Sequence, residues 1–133
     1  MQKNLTLNIL TATKRIYNGQ IEKLFIESVS GKIEILPNHM DLVSLLSPSI
    51  TRFVDMDGNE KTLFTSEGVM RITSGEIFLT CNSAEWPEEI DKNRAEASKE
   101  RAQMRLKEKD TNIDTQRAEL SLHKAMLRLL VTK

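Results

Sequence analysis

The sequence predicts an all-β sandwich N-terminal domain followed by a C-terminal α-helical hairpin, and three observations carry that prediction. Charge is uneven: residues 1–84 hold 8 basic and 9 acidic side chains, whereas the 49 residues from Glu85 to Lys133 hold 11 and 10. All five glycines lie in the first part. The spacing of apolar residues also changes there, from alternation to a helical period. The expected domains are therefore 1–85 and 86–133.

The first part reads as short strands in sequence. Leu5, Leu7 and Ile9 alternate with Thr6 and Asn8, as a half-buried strand requires. Asn18-Gly19 is expected to punctuate the chain before a strand from Ile21 to Ile26, and Ser30-Gly31 turns into Lys32-Ile33-Glu34-Ile35. Asp57-Gly58 and Ser74-Gly75 each sit between apolar runs. Both read as type I′ hairpin turns, whose two central residues need positive φ. Frequent turns between short strands indicate a sandwich or barrel. With aromatics at only 5%, its core is built from Leu, Ile and Val.

The second part contains a repeat. Ile90-Asp91-Lys92-Asn93-Arg94-Ala95-Glu96-Ala97-Ser98 returns 23 residues later as Ile113-Asp114-Thr115-Gln116-Arg117-Ala118-Glu119-Leu120-Ser121, and nine of 17 aligned positions are identical. Average residue usage gives about one such identity by chance. In each copy an Asp follows Ile at a helix start, where its carboxylate caps the unpaired N–H groups of the first turn. The polar stretch Lys107–Asn112 reverses the chain, so the two copies form an αα-hairpin. Helical spacing puts Ala118, Ser121, Leu122, Ala125, Met126 and Leu129 on one face, opposed by Ala95, Ser98, Lys99, Ala102, Gln103 and Leu106. Such a face buries little apolar area, so the hairpin is expected to be marginal alone and easily tipped by a partner.

Composition removes several function classes. Lys+Arg and Asp+Glu both total 19, so no net field draws the chain to nucleic acid or anionic lipid. No segment offers the roughly 20 apolar residues that cross a bilayer. The lone Cys81 permits no internal disulfide, fits a reducing compartment and excludes a zinc ribbon. The two histidines, His39 and His123, come with no nucleophile–base or metal-ligand spacing, so neither catalytic residues nor a metal site are expected. Glu88 and Glu89 read as helix-start carboxylates, and Trp86-Pro87 as a hinge or packing anchor.

These residues, taken in order, resemble the epsilon subunit family of bacterial F-type ATP synthases. Ile35-Leu36-Pro37-Asn38-His39 is similar to the family's Gly-Ile-Leu-Pro-Gly-His segment, continued by Asp41-Leu42-Val43 and Leu46-Ser47-Pro48. Phe64 to Ile72 is similar to its Ser-Gly-Gly-Phe-Leu-Glu-Val stretch, and the Ile-Asp-x-x-Arg-Ala motifs match its hairpin. Glu34, Asn38 and Glu67 stand where the family usually carries glycine, and Lys32 where an acidic residue is common.

The resemblance implies a non-catalytic rotor subunit, peripheral on the cytoplasmic face of the bacterial inner or plasma membrane. Its sandwich would bind the gamma subunit and meet the membrane c-ring through the loop residues Ser30, Gly31, Lys32 and His39. Val43 and Leu45 are candidates for the gamma face. The hairpin would either fold down or extend along gamma towards the catalytic alpha and beta subunits and block hydrolysis. Arg117, Lys124 and Arg128 would make that inhibitory contact, since with Lys133 they outnumber Glu119 over residues 117–133.

No cofactor is required by this reading, but several bacterial members bind ATP as a regulatory ligand. The matching positions are Glu85, Ile90, Asp91, Arg94, Ala95, Arg101, Lys124 and Arg128. Guanidinium forks suit phosphate oxygens, whereas Lys124 stands where those members tend to have arginine and supplies charge without the fork. The same residues have a plainer explanation: Asp91 and Asp114 are helix caps, and the basic side chains are solvated or paired with nearby glutamates.

Overall fold

One long strand organises the first part of the chain. In the computed structural model, which describes residues 5–108 and 115–133, β2 (Arg15–Ser28) runs for 14 residues. Its first half pairs antiparallel with β1 (Leu5–Leu10), setting Leu5 opposite Ile21 and Ile9 opposite Tyr17. Its second half pairs with β3 (Gly31–Ile35) on one side and β5 (Ser49–Asp55) on the other. A register shift between Ile21 and Lys23 marks the bulge between the two halves, and a bulge bends a strand and sharpens its twist. Ser28, at the end, faces Leu46 of β4 (Leu42–Leu46).

The remaining strands close the layers. β4 pairs with β7 (Gly68–Thr73), β7 with β8 (Glu76–Cys81), and β8 runs parallel to β1. On the other side β5 pairs with β6 (Glu60–Thr65), which carries the two-residue β9 (Ala84–Glu85). This is the expected sandwich.

Alternation supplies the core. Leu5, Leu7 and Ile9 of β1 meet Leu24, Ile26, Ile35, Phe53, Leu63, Met70, Ile72, Ile77 and Leu79 in one buried cluster. Each such large side chain contributes about 1.5–3 kcal/mol when fully buried. Polar groups inside are paired. Asn8 donates from Nδ2 to the Ile77 carbonyl at 3.1 Å and accepts from Asn18 Nδ2 at 2.6 Å. The Thr51 and Thr65 hydroxyls meet at 2.7 Å. Burial, with a smaller contribution from Glu67, pushes the Cys81 thiol up to about 12, so it stays protonated and inert at neutral pH.

Two turn expectations need correction. Asn18-Gly19 does not interrupt the chain but lies inside β2, opposite Asn8 and Leu7. The cross-strand amide bond between Asn18 and Asn8 gives that pair a reason to sit in a ladder, and the reversal falls at residues 11–14, where Thr11 N–H donates to the Lys14 carbonyl at 3.0 Å. Asp57-Gly58 is in a hairpin, but not a two-residue one. Its loop spans residues 56–59, and only Gly58 has positive φ (84°). The Asp55 carboxylate organises it by accepting from the N–H groups of Asp57 and Asn59, both at 2.9 Å, and these bonds hold its pKa below the ordinary value. Ser74 and Gly75 do both take positive φ, 50° and 79°, as the I′ reading requires. Asn38 also has positive φ (67°), which asparagine tolerates better than most residues.

The chain divides into two units, Met1–Trp86 and Pro87–Lys133. In the second, a short 3₁₀ turn (Pro87–Glu89) leads into α1 (Lys92–Lys107), and α2 (Thr115–Val131) packs against it. The expected Asp114 cap and most of the connecting stretch lie outside the described residues. Ala95, Ala102, Ala118 and Ala125 are the buried apolar residues of the pair, flanked by half-buried Ser98, Lys99, Leu106, Leu122 and Leu129. Gln103 and Met126, expected on the inner faces, are exposed. Each follows a contact alanine by one residue, about 100° round the helix, and so falls outside a seam this narrow. Ser121 is exposed as well. Among the described residues no helix is long and apolar enough to cross a membrane.

Gly68 exposes how tightly β7 and β8 are joined. A Cβ there would strike the Thr80 carbonyl oxygen and come within 2.8 Å of Cys81 Cα, both backbone atoms that cannot swing away. Gly68→Ala is expected to destabilise the sandwich by about 1–3 kcal/mol, read as a lower urea midpoint with an unchanged slope.

Candidate functional site

The outward face of β4, β7 and β8 is apolar where a solvated sheet would be polar. Inward-facing Leu46, Met70 and Ile72 dictate by alternation that Val43, Leu45 and Val69 point out, and they are 69%, 59% and 40% exposed. Register joins them: Leu45 lies opposite Val69, and Val43 opposite Arg71. Arg71 sits over the Phe78 ring at 5.3 Å, extending the strip to β8. Val29, 63% exposed, adjoins it through its N–H bond to the Leu45 carbonyl. Contiguous exposed apolar residues of this kind mark an interaction surface. Val43 and Leu45 were expected there. Val29, Val69 and Phe78 were not, although the inward pair Met70 and Ile72 fixes Val69 outward once β7 is recognised.

The loop residues divide between two ends of β3. Ser30, Gly31 and Lys32 form the tip of the β2–β3 hairpin, with Lys32 opposite Glu27 and the Ser28 hydroxyl donating to the Gly31 carbonyl at 2.9 Å. His39 lies past the other end of that strand, half-buried, its Nδ1 2.8 Å from the Met40 carbonyl oxygen. This second loop is tied to the β7–β8 turn by the Ser74 N–H donating to Asp41 at 2.9 Å. The two groups are therefore separated by β3, about 13 Å at the usual rise per residue.

In the hairpin, the alanine seam aligns the basic residues. Each buried alanine follows a cation: Arg94 precedes Ala95, Arg101 precedes Ala102, Arg117 precedes Ala118, and Lys124 precedes Ala125. Residues one step before the seam sit about 100° to one side of it. Since antiparallel packed helices are related by a two-fold axis, that side is the same for both, and all four cations share one flank. Arg128, three residues beyond Ala125, falls on the same side. Arg101 donates to the Ser98 hydroxyl at 3.0 Å. Asp91 is the α1 N-cap, its carboxylate accepting from the Arg94 N–H at 3.1 Å. Ile90 is half-buried just before it, and Ala95 is in the seam. Glu85 belongs to the other unit, in β9. The opposite flank is an open groove of about 570 Å³ with Met126, Leu127 and Leu130 along it and Lys92, Lys99 and His123 at its edges; the sequence reading did not single it out.

The cap makes a sharp prediction about Asp91. Asparagine caps as well as aspartate. Asp91→Asn should therefore leave the helical melting of the chain unchanged, while Asp91→Ala should cost about 1 kcal/mol, both followed by circular dichroism at 222 nm.

Comparison with known proteins agrees over the full chain. Residues 4–87 match the family model of the ATP synthase delta/epsilon chain beta-sandwich domain, and residues 88–133 that of its long alpha-helix domain. The ATP synthase epsilon chain of Clostridium acetobutylicum is 46% identical over 107 residues, 80% of each chain. That of Clostridium novyi is 41% identical over 129 residues, 97% of this chain and 98% of that one. Among solved structures, a chain of the Euglena gracilis mitochondrial ATP synthase superposes with a TM-score of 0.82 at 19% identity, covering 94% of this chain and 79% of that one. A chain of the Tetrahymena thermophila mitochondrial ATP synthase central stalk and c-ring gives 0.58 at 11%, covering 97% and 96%. These two share the fold. With both family models matched in order and close relatives spanning nearly the whole length, the chain belongs to the ATP synthase delta/epsilon family, as an epsilon subunit of the bacterial F-type enzyme.

Proposed function

We propose that this epsilon subunit is a non-catalytic part of the central stalk, coupling rotation of the c-ring to the catalytic head and restraining ATP hydrolysis through its hairpin. The observation that carries the reading is the contrast between the two units. The sandwich has a continuous core of large side chains and an exposed apolar strip, suited to permanent attachment and to passing torque. The hairpin is held by four alanines, suited to rearrangement. The strip around Val43, Leu45 and Val69 is the seat for gamma. The β2–β3 tip of Ser30, Gly31 and Lys32 faces the c-ring, without His39, which lies beyond the far end of β3, and the chain reaches the cytoplasmic face of the membrane only through the complex. The Lys32 charge has Glu27 across the ladder, which tempers its effect on a partner. When the hairpin extends, Arg117, Lys124 and Arg128 meet acidic segments of the catalytic subunits, a contact that weakens with salt.

A second role rests on the shared cationic flank. Arg94, Arg101, Lys124 and Arg128 lie on one side of the hairpin only while the two helices are packed, so a polyphosphate bound across them favours the folded hairpin. ATP fits as such a regulatory ligand, with Asp91 and Ile90 beside it. Isothermal titration of the full chain with ATP should give heat that is lost in Arg94→Ala; no heat at millimolar ATP removes this role.

The main reading is tested by ATP hydrolysis in the matching catalytic complex lacking this subunit. The full chain should inhibit, and a chain ending at Trp86 should bind without inhibiting. Failure of both to bind overturns the coupling role; binding of both without inhibition leaves the hairpin no braking function. Leu45→Glu should weaken association with gamma by about tenfold or more, the cost of one lost central apolar contact, while leaving the thermal midpoint of the free chain unchanged.

A further inference from the structure

Asn18-Gly19 has the composition of a turn yet lies within β2, and packing explains why a glycine is there. A Cβ at Gly19 would come 2.8 Å from the Tyr17 hydroxyl oxygen and 3.1 Å from Cζ of the same ring. The Tyr17 ring therefore lies across Gly19, and it packs on the buried Phe53 with centroids 4.6 Å apart. Glycine in a strand interior marks close approaches of this kind. The asparagine is held as well. Asn18 faces Asn8 across the ladder and donates from Nδ2 to Asn8 Oδ1 at 2.6 Å, while the buried Asn8 donates to the Ile77 carbonyl at 3.1 Å.

The same two residues are chemically labile when the backbone is free. The Gly19 nitrogen attacks Asn18 Cγ: an N–Cγ bond forms, the Cγ–Nδ2 bond breaks, and ammonia leaves with the proton given up by the Gly19 N–H. Glycine makes this attack easiest, because no side chain shields its nitrogen. Water then opens the five-membered imide at either carbonyl, which leaves aspartate or isoaspartate. In isoaspartate the main chain runs through Cβ and Cγ, so it is longer by one carbon atom. A strand prevents the ring from closing. Its ψ of about +135° turns the Gly19 nitrogen away from Asn18 Cγ, and closure needs a ψ that an L-residue rarely visits. The bond to Asn8 is a second restraint, since it holds the amide that must turn towards Gly19.

We propose that Asn18 is a self-modifying site kept closed by the β1–β2 ladder: it deamidates when that ladder opens, and its isoaspartate product bars β2 from pairing again. The extra main-chain atom falls between Asn18 and Gly19. It throws the pairs Leu7–Gly19 and Leu5–Ile21 out of step with Ile9–Tyr17, in a strand where a slip turns inward side chains outward. The Asn18 side chain is exposed, so water reaches the imide as soon as it forms. The site therefore records the time a chain has spent open, and it removes chains that have spent too long there.

The test is to age the full chain folded in buffer and unfolded in guanidinium, at the same mildly alkaline pH. Peptides covering Asn18 are then resolved into asparagine, aspartate and isoaspartate forms by chromatography and mass. In denaturant Asn18 should convert faster than any other asparagine of the chain, mainly to isoaspartate. In buffer its conversion should be slower by about tenfold or more, since only open molecules react. When the denaturant is removed, the folded fraction from gel filtration should carry asparagine or aspartate at position 18, and isoaspartate should be confined to the unfolded fraction. Fresh Asn18→Asp should fold, which separates the added charge from the added atom. Asn18→Gln, whose longer amide closes the ring poorly, should refold fully after the same ageing. Equal conversion in buffer and denaturant overturns the protection. Isoaspartate in the folded fraction, or an aged Asn18→Gln chain that fails to refold, overturns the block. Should neither variant fold when fresh, the sorted fractions of the unaltered chain decide.

Discussion

The sandwich depends on β2 pairing with four other strands. β1 takes its first half, β3 and β5 its second, and β4 its last residue. A strand in that position has little freedom of register, since a slip of one residue turns every inward side chain outward. The bulge at Ile21–Lys23 allows one strand to serve both layers. It also explains why Asn18-Gly19 stays in the ladder: a reversal there would cut β2 in half and separate the layers that it joins.

The hairpin follows a different logic. Its buried residues are alanines at spacings of seven, which bring two helix backbones close but remove little apolar surface from water. The close approach has an electrostatic accompaniment, because the residue before each alanine is basic. Four positive charges are thus gathered on one flank by the same contact that holds the helices together. A seam of small residues is more easily tipped than a core of large buried side chains.

The fold was largely legible because alternation and the 23-residue repeat are patterns that survive without tertiary information. The misreadings occurred where a local signal met a non-local competitor. Asn18-Gly19 has the composition of a turn, but its asparagine finds Asn8 ten residues away and the strand continues. Asp57-Gly58 has the composition of a two-residue turn, but Asp55 gathers two N–H groups and enlarges the loop. In the hairpin, helical spacing gave the alanine seam correctly, yet the width of a contact depends on how closely two backbones approach, which one helix cannot reveal. The same limit applies to the site. Val43 and Leu45 were named from sequence, while Val29 and Phe78 joined them only through the register of neighbouring strands. That the basic residues share a flank needed both helices.

The burial of Cys81 has a practical side. The chain carries one thiol, and burial in the core keeps it protonated and away from solvent, so it is a poor target for thiol reagents in the folded protein. A single cysteine introduced at the apolar strip, at the β2–β3 tip or along the cationic flank becomes a unique attachment point. Dyes, spin labels or cross-linkers placed there report on one position at a time, which allows an ATP synthase complex to be followed from this subunit in its natural sequence.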